Sequence, residues 1–249
     1  MRRSCLMLAA LFITSSAAVD SAQRGDVPLS PLEIATACAP PPSLDDAPPH
    51  ALRIIGSQDT TPRSLFGDRD LLVINGGTSA GVQLGQQFFI RRTMTFGGNR
   101  VSRGAKTLGW MRVVAVNEST AIALIDHVCG GIVIDDYLAP FVVPQIPAAA
   151  ESNEAPGQPD FNALGHIVVG NEDRQTVAGG DFVLIDWGRA PAPAAGARFA
   201  IFRDVGVDGL PLASVGEGVV VSVGSNMALT RVTRARDAAI SGDFVAFLR

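Results

Sequence analysis

The sequence predicts an all-β protein: two tandem small β-barrel repeats joined by a Pro/Ala-rich linker and preceded by a signal peptide and a Pro-rich arm. Short β-branched and aromatic runs alternate with turn residues, Gly 26 and Pro 16 in 249 residues, which marks many short strands rather than a helical bundle. A block beginning at Asp70 returns in the same order at Asp181. No long segment carries a convincing helical period.

Residues 1–18 are expected to be a signal peptide. Met1-Arg2-Arg3 precedes the apolar run Leu6–Ile13, and small residues follow at Ser15-Ser16-Ala17-Ala18. Cleavage is expected after Ala18, with Ala22 as the alternative. The run is shorter than the roughly 20 residues that cross a bilayer, so the mature chain is not expected to be an integral membrane protein. Cys5 lies before the run, the wrong side for a lipidated cysteine.

Residues 19–51 form the Pro-rich arm, in which Pro31–Cys38 has room for a helical turn or two with Pro31 at a permitted early position. Removing the leader leaves Cys38 and Cys129, an even pair in an oxidising compartment, and a disulfide between them is expected. Closing so long a loop is worth roughly 4 to 5 kcal/mol in the chain-entropy model.

The first repeat is expected over 52–142, with strands near 52–57, 70–75, 86–92, 107–116, 120–126 and 135–141. The second is expected over 164–249, with strands near 164–170, 181–186, 197–203, 215–223, 227–233 and 242–248. The register is 181 − 70 = 111 through the first half, where Gly77 meets Gly188, Phe88 meets Phe199 and Ile90 meets Ile201. It becomes 216 − 109 = 107 in the second half, where Gly109 meets Gly216 and Asp136-Tyr137 meets Asp243-Phe244. The length change falls in the connecting loop, where a duplication tolerates it. Six short strands per repeat suit a closed barrel, which removes exposed edges. Residues 143–163, rich in Pro and Ala, are expected to be an extended linker.

The order Ile54-Ile55-Gly56, Gly67-Asp68, Asp70–Gly77, Gly81-Val82, Gly85–Phe88, Gly109–Val114 and Asp136-Tyr137 resembles the β-rich tail repeat that follows LysM modules in bacterial envelope proteins. It is also similar to the C-terminal domain of the flagellar assembly protein T. The resemblance covers most of 52–142 and, more weakly, 164–249, and its glycines and hydrophobics imply a scaffold with no catalytic residues to carry over. No LysM module is evident. Arginine stands at every basic position except Lys106, in keeping with a GC-rich bacterial genome.

A hydrophobic content of 47% excludes disorder as the overall state, and a net charge of −4 with 18% charged residues excludes a global field for nucleic acid. The charges are nonetheless segregated. From Leu71 to Asn117 the basic residues Arg91, Arg92, Arg100, Arg103, Lys106 and Arg112 occur without an Asp or Glu. Much of this set falls on Thr93–Lys106, expected to be a long glycine-containing loop in which Phe96 is a candidate apolar anchor. Arginine forks suit carboxylate or phosphate. The expected binding residues are therefore Arg91, Arg92, Phe96, Arg100, Arg103 and Lys106, facing an envelope protein or an anionic cell-wall polymer; the bland alternative is a solvated hairpin loop.

Other constellations are weaker. Gly77-Thr78-Ser79-Ala80-Gly81 matches the nucleophile elbow G-x-S-x-G, but the elbow needs a helix after the serine, and Val82–Ile90 leads into a strand. Asp126-His127-Val128-Cys129 lacks the rest of a triad. His50, His127 and His166 are too scattered for a zinc site, and neither metal nor cofactor is expected. Asp45-Asp46 and Asp135-Asp136 diverge on an extended chain, so they make no acid/base pair, and a turn role explains why Asp136 and Asp243 recur. Trp110 and Trp187, beside strand ends, are expected to pack rather than to stack on sugar. The expectation is an exported, non-catalytic, periplasmic or secreted binding or assembly adaptor; the alternatives are a hydrolase using Ser79 and a purely structural envelope subunit.

Overall fold

The computed structural model describes residues 27–38, 47–96, 102–146, 157–170 and 174–249. The predicted signal peptide lies outside the described residues. The elements are β1 (Val27–Pro28), α1 (Pro31–Ala37), β2 (Ile54–Ser57), β3 (Leu71–Ile74), β4 (Gln87–Phe96), β5 (Ser102–Val116), β6 (Ala121–Val128) and β7 (Tyr137–Pro140). There follow β8 (Gln145–Ile146), β9 (Gly165–Gly170), β10 (Thr176–Val177), β11 (Phe182–Ile185), β12 (Arg198–Arg203), β13 (Ala213–Val223), β14 (Ala228–Ala235), β15 (Ala239–Ile240) and β16 (Phe244–Phe247).

The two repeats share one strand order. The second is a closed barrel, β9-β11-β14-β13-β12-β16, and the first is the sheet β2-β3-β6-β5-β4-β7, its element-by-element counterpart. Strand alternation sends every second side chain inward, so the matched residues Ile54/Ile167, Leu72/Val183, Ile74/Ile185, Phe88/Phe199, Ile90/Ile201 and Val113/Val220 fill equivalent cores. Each such burial contributes about 1.5–3 kcal/mol.

The expectation of two closed barrels needs one correction. Strands β9 and β16 pair through Phe244↔His166 and Val245↔Gly165, whereas the first sheet is open and its edge strands meet at one bridge, Arg53↔Tyr137. Ile54 N–H donates to Asp136 O and Leu138 N–H to Leu52 O across that seam. The residues beside the bridge differ. A Cβ on Gly165 would lie 2.1 Å from Asp186 O, so only glycine lets the start of β9 run this close to the chain leaving β11. Its counterpart Leu52 instead packs its side chain against the core.

The arm does more than hang from the first repeat. Ser30 caps α1 in a reciprocal box with Glu33, and Pro31 opens the helix. Leu29, Ile34 and Ala37 pack with Phe182, Val221 and Leu229 of the barrel and with Trp110, Phe141 and Val143 of the first repeat and its exit. Cys38, at the helix C-cap, is joined to Cys129 with Cα atoms 6.1 Å apart. The expected disulfide is thus present, and it holds a wedge between the two repeats. The start of the expected linker also takes part, because β8 pairs with β1 through Val27↔Ile146 and Pro28↔Gln145.

Arg231 Nη1 donates to Glu33 Oε1 at 3.2 Å and its guanidinium lies over the Phe182 ring. The Glu33 carboxyl is held below its ordinary range, chiefly by hydrogen bonds from the Ser30 backbone and side chain and then by Arg231, against the opposing effect of burial. A depressed carboxyl stabilises the fold above its unfolded pKa, and that contribution is lost as pH falls through the folded value. The Glu33→Gln variant is therefore expected to show a shallower loss of melting temperature than the parent between about pH 5 and about pH 3; parallel curves would show that this contact is not linked to folding.

Candidate functional site

The expected loop over Thr93–Lys106 is instead mostly a β-hairpin. β4 and β5 stay paired from Arg92↔Lys106 to Phe96↔Ser102; residues 97–101, including Arg100, lie outside the described residues. The hairpin projects beyond the part of β4 that pairs with β7, which ends at Arg91↔Tyr137. Met94 packs against Val169, Met227, Val168 and Leu184 of the barrel. Alternating residues with a hydrophobic partner available are extended by ladder bonds rather than left as loop, which is why Thr93-Met94-Thr95 forms strand.

At the base of this hairpin, beneath the seam of the first sheet, lies a cleft of about 380 Å³ lined by Arg53, Arg91, Arg92, Thr93, Asp135 and Tyr137 among others. A bulge against β5 between Ile90 and Arg91 locally re-aims the strand, and both arginines border the cleft. Arg91 is buried and donates from Nη2 to Ala105 O at 3.0 Å. Arg92 grips buried Asp136 with two bonds, Nε to Oδ1 at 2.6 Å and Nη2 to Oδ2 at 2.7 Å, and Nη2 also reaches Gly131 O. Asp136 further accepts from Val133 N–H at 2.8 Å. The paired carboxylate, mainly through its hydrogen bonds, raises Arg92 above the ordinary guanidinium range.

Arg53 is anchored by its backbone, whose N–H donates to Asn75 Oδ1, and by one Nη1 bond to Asp135 O at 2.6 Å. It makes no ion pair among the described residues. Asp135, exposed at the rim, holds a left-handed backbone with φ 73°.

The duplication supplies an internal comparison. Arg203 repeats Arg92 and grips Asp243 at 2.8 Å from both Nε and Nη2, while Ala238 O replaces Gly131 O. The ion pair is therefore shared scaffold. The other positions diverge: Arg53, Arg91 and Tyr137 stand where the barrel has His166, Phe202 and Phe244. There Phe202 packs on Phe161 and Phe244 on His166, with ring centroids 4.9 and 5.1 Å apart. Aromatic packing occupies in the second copy the place that guanidiniums line in the first.

The structure thus brings Arg91 and Arg92 together with Arg53. Lys106 is half-buried opposite Arg92; Arg103 pairs by backbone with Thr95, and Phe96 ends β4. Arg112 is turned to Asp126, which it holds through Nε and Nη2. In sequence Arg53 carries no site signal and Asp136 reads as a turn residue alone. The signal that reveals the pair is that both partners recur in register, since 92 + 111 = 203 and 136 + 107 = 243.

The remaining candidates have other surroundings. Ser79 sits in a 3-10 turn, Thr78–Ala80, and its Oγ donates to Glu118 O at 2.7 Å; the chain then runs through turns into β4. Trp110 stacks on His127, centroids 4.5 Å apart, and Trp187 packs on the barrel core. Among the described residues no group of three or more His, Cys, Asp and Glu is placed to hold a metal ion, and no helix is long and apolar enough to cross a membrane. Asp45-Asp46 lies outside the described residues. No protein-family model matches the chain, and no curated protein aligns with it significantly.

Proposed function

We propose that this chain is an exported, non-catalytic cell-envelope protein, periplasmic or secreted, that acts as a binding or assembly adaptor. The two repeats are read as tandem barrel modules, the first open at its seam, held together by the disulfide-anchored arm. Recognition falls to the cationic side of the first module, facing an anionic envelope protein or cell-wall polymer. The observation that carries this reading is the divergence between the copies: the same corner is filled by aromatics in one and lined by guanidiniums in the other. The resemblance of the glycine–hydrophobic pattern to envelope tail repeats and the paired cysteines favour the same compartment.

A pull-down from the protein's own envelope fraction at low and high salt, with purified cell-wall sacculus in parallel, tests it. Salt-sensitive capture of a defined protein or wall polymer is expected. Neutralising Arg100, Arg103 and Lys106 together is expected to weaken that capture about tenfold, mainly through the association rate. Capture of nothing would sink the adaptor reading and favour the structural subunit, for which the clasped arrangement of the repeats speaks. Esterase activity that Ser79→Ala abolishes would instead establish the hydrolase.

A further inference from the structure

We propose that the cleft beneath the first sheet's seam is a binding site for a single carboxylate group, which enters between Arg53 and Arg92 above Arg91. This deepens the adaptor reading, since it states where and with what chemistry the partner is held.

Three observations lead to it. Arg53 makes no ion pair among the described residues and spends one side-chain bond on a carbonyl, leaving most of its N–H donors for a ligand. Arg92 is fixed in place by its two-pronged hold on Asp136 while 37% of its side chain stays exposed. A fork held this way is oriented before a ligand arrives, which lowers the ordering cost of binding. The second copy carries the same ion pair but neither of the other two guanidiniums, so those are not required by the fold.

Charge and size select the ligand class. Among the described residues that line the cleft, three guanidiniums, Arg53, Arg91 and Arg92, meet one carboxylate, Asp135, and Arg92 is bound to Asp136, so this lining is cationic. A cationic lining suits an anion, and a single negative charge meets less repulsion from Asp135 than a phosphate dianion does. The planar guanidinium also matches a carboxylate edge in two-pronged bonding. At about 380 Å³ the space equals roughly a dozen waters at about 30 Å³ each, which is room for one acid group and its immediate substituent rather than a length of polymer.

The test uses the full mature chain at low salt, with backbone amide NMR following titrations of N-acetylglycine for a peptide carboxylate, glucuronate for a sugar carboxylate, and inorganic phosphate. Saturable shifts at Arg53, Arg92 and Thr93 with one or both carboxylates are expected, and the more strongly bound of the two identifies the source. Arg53→His with Arg91→Phe, the residues of the second copy, is expected to weaken this binding at least about tenfold. Arg53→Gln alone, a change at a partly exposed side chain, is expected to weaken it in the same direction if the double variant does not fold. Absence of saturable shifts, phosphate binding as tightly as carboxylate, or binding unchanged in both variants would overturn the proposal. Carboxylate binding that survives a failed envelope pull-down sinks the adaptor reading alone, and envelope capture without carboxylate binding sinks this site alone.

Discussion

Replacing Cys38 and Cys129 by serine lowers the stability of the protein by about 4 to 5 kcal/mol in the chain-entropy model. The bond spans 91 residues, and the denatured chain regains the freedom of that whole loop when it is lost. The effect reaches beyond the arm, because α1 lies in the apolar cluster that includes Phe182, Val221 and Leu229 of the barrel and Trp110 and Phe141 of the first repeat. Denaturant unfolding of the variant, and of the parent with and without reductant, measures the change. A midpoint unmoved by the substitution would mean that Leu29, Ile34 and Ala37 hold the wedge without the covalent tie. Hydrogen exchange adds a spatial reading: amides of α1 and β8 lose protection first, and those of β13 and β14 keep it.

Arg203→Leu and Arg92→Leu each cost about 3 kcal/mol, because each leaves a buried aspartate without its cation. Asp136 and Asp243 are both 2% exposed as side chains, while their arginines are 37% and 25% exposed. Partial solvation of the arginines places the cost at the lower end of what breaking a buried pair entails. Asp136→Asn has a different consequence, since the amide still accepts from Val133 N–H while losing the charge that holds Arg92. A double-mutant cycle over Arg92 and Asp136 by urea denaturation isolates the coupling. Additive losses, with no coupling energy, would show that the two side chains stabilise the fold independently.

How much of this was legible beforehand depends on the distance over which each feature is decided. The short apolar runs Leu71-Leu72-Val73-Ile74 and Phe182-Val183-Leu184-Ile185, rich in β-branched and aromatic residues and bounded by acidic and glycine turns, are a local signal, and these segments are strands within a residue or so of where the pattern puts them. Gly109 and Gly216 recur because a Cβ at either would lie 2.2 or 2.4 Å from a carbonyl of the neighbouring strand, His127 O or Arg234 O. The hairpin over Thr93–Lys106 read as loop because Gly97, Gly98 and Gly104 outweigh a short alternating run. Its strand character depends on pairing between the two arms and on Met94 finding the barrel surface. Arg53 was illegible as a site residue, since only the fold sets it within reach of residues far along the chain.

By itself the sequence determined the duplication, the twelve main strands and the cysteine pairing, since these follow from recurring residues in register, strand-forming runs between turn residues and a count of two cysteines in the expected mature chain. The tertiary structure decided whether each sheet closes, which arginines are neutralised, and what α1 packs against. Those outcomes rest on contacts such as Arg53 with Tyr137, Arg92 with Asp136 and Glu33 with Arg231, 198 residues apart in the last case. A guanidinium reads the same in sequence whether a distant aspartate meets it or not; the field at its position is set only when the strands that carry both are brought together.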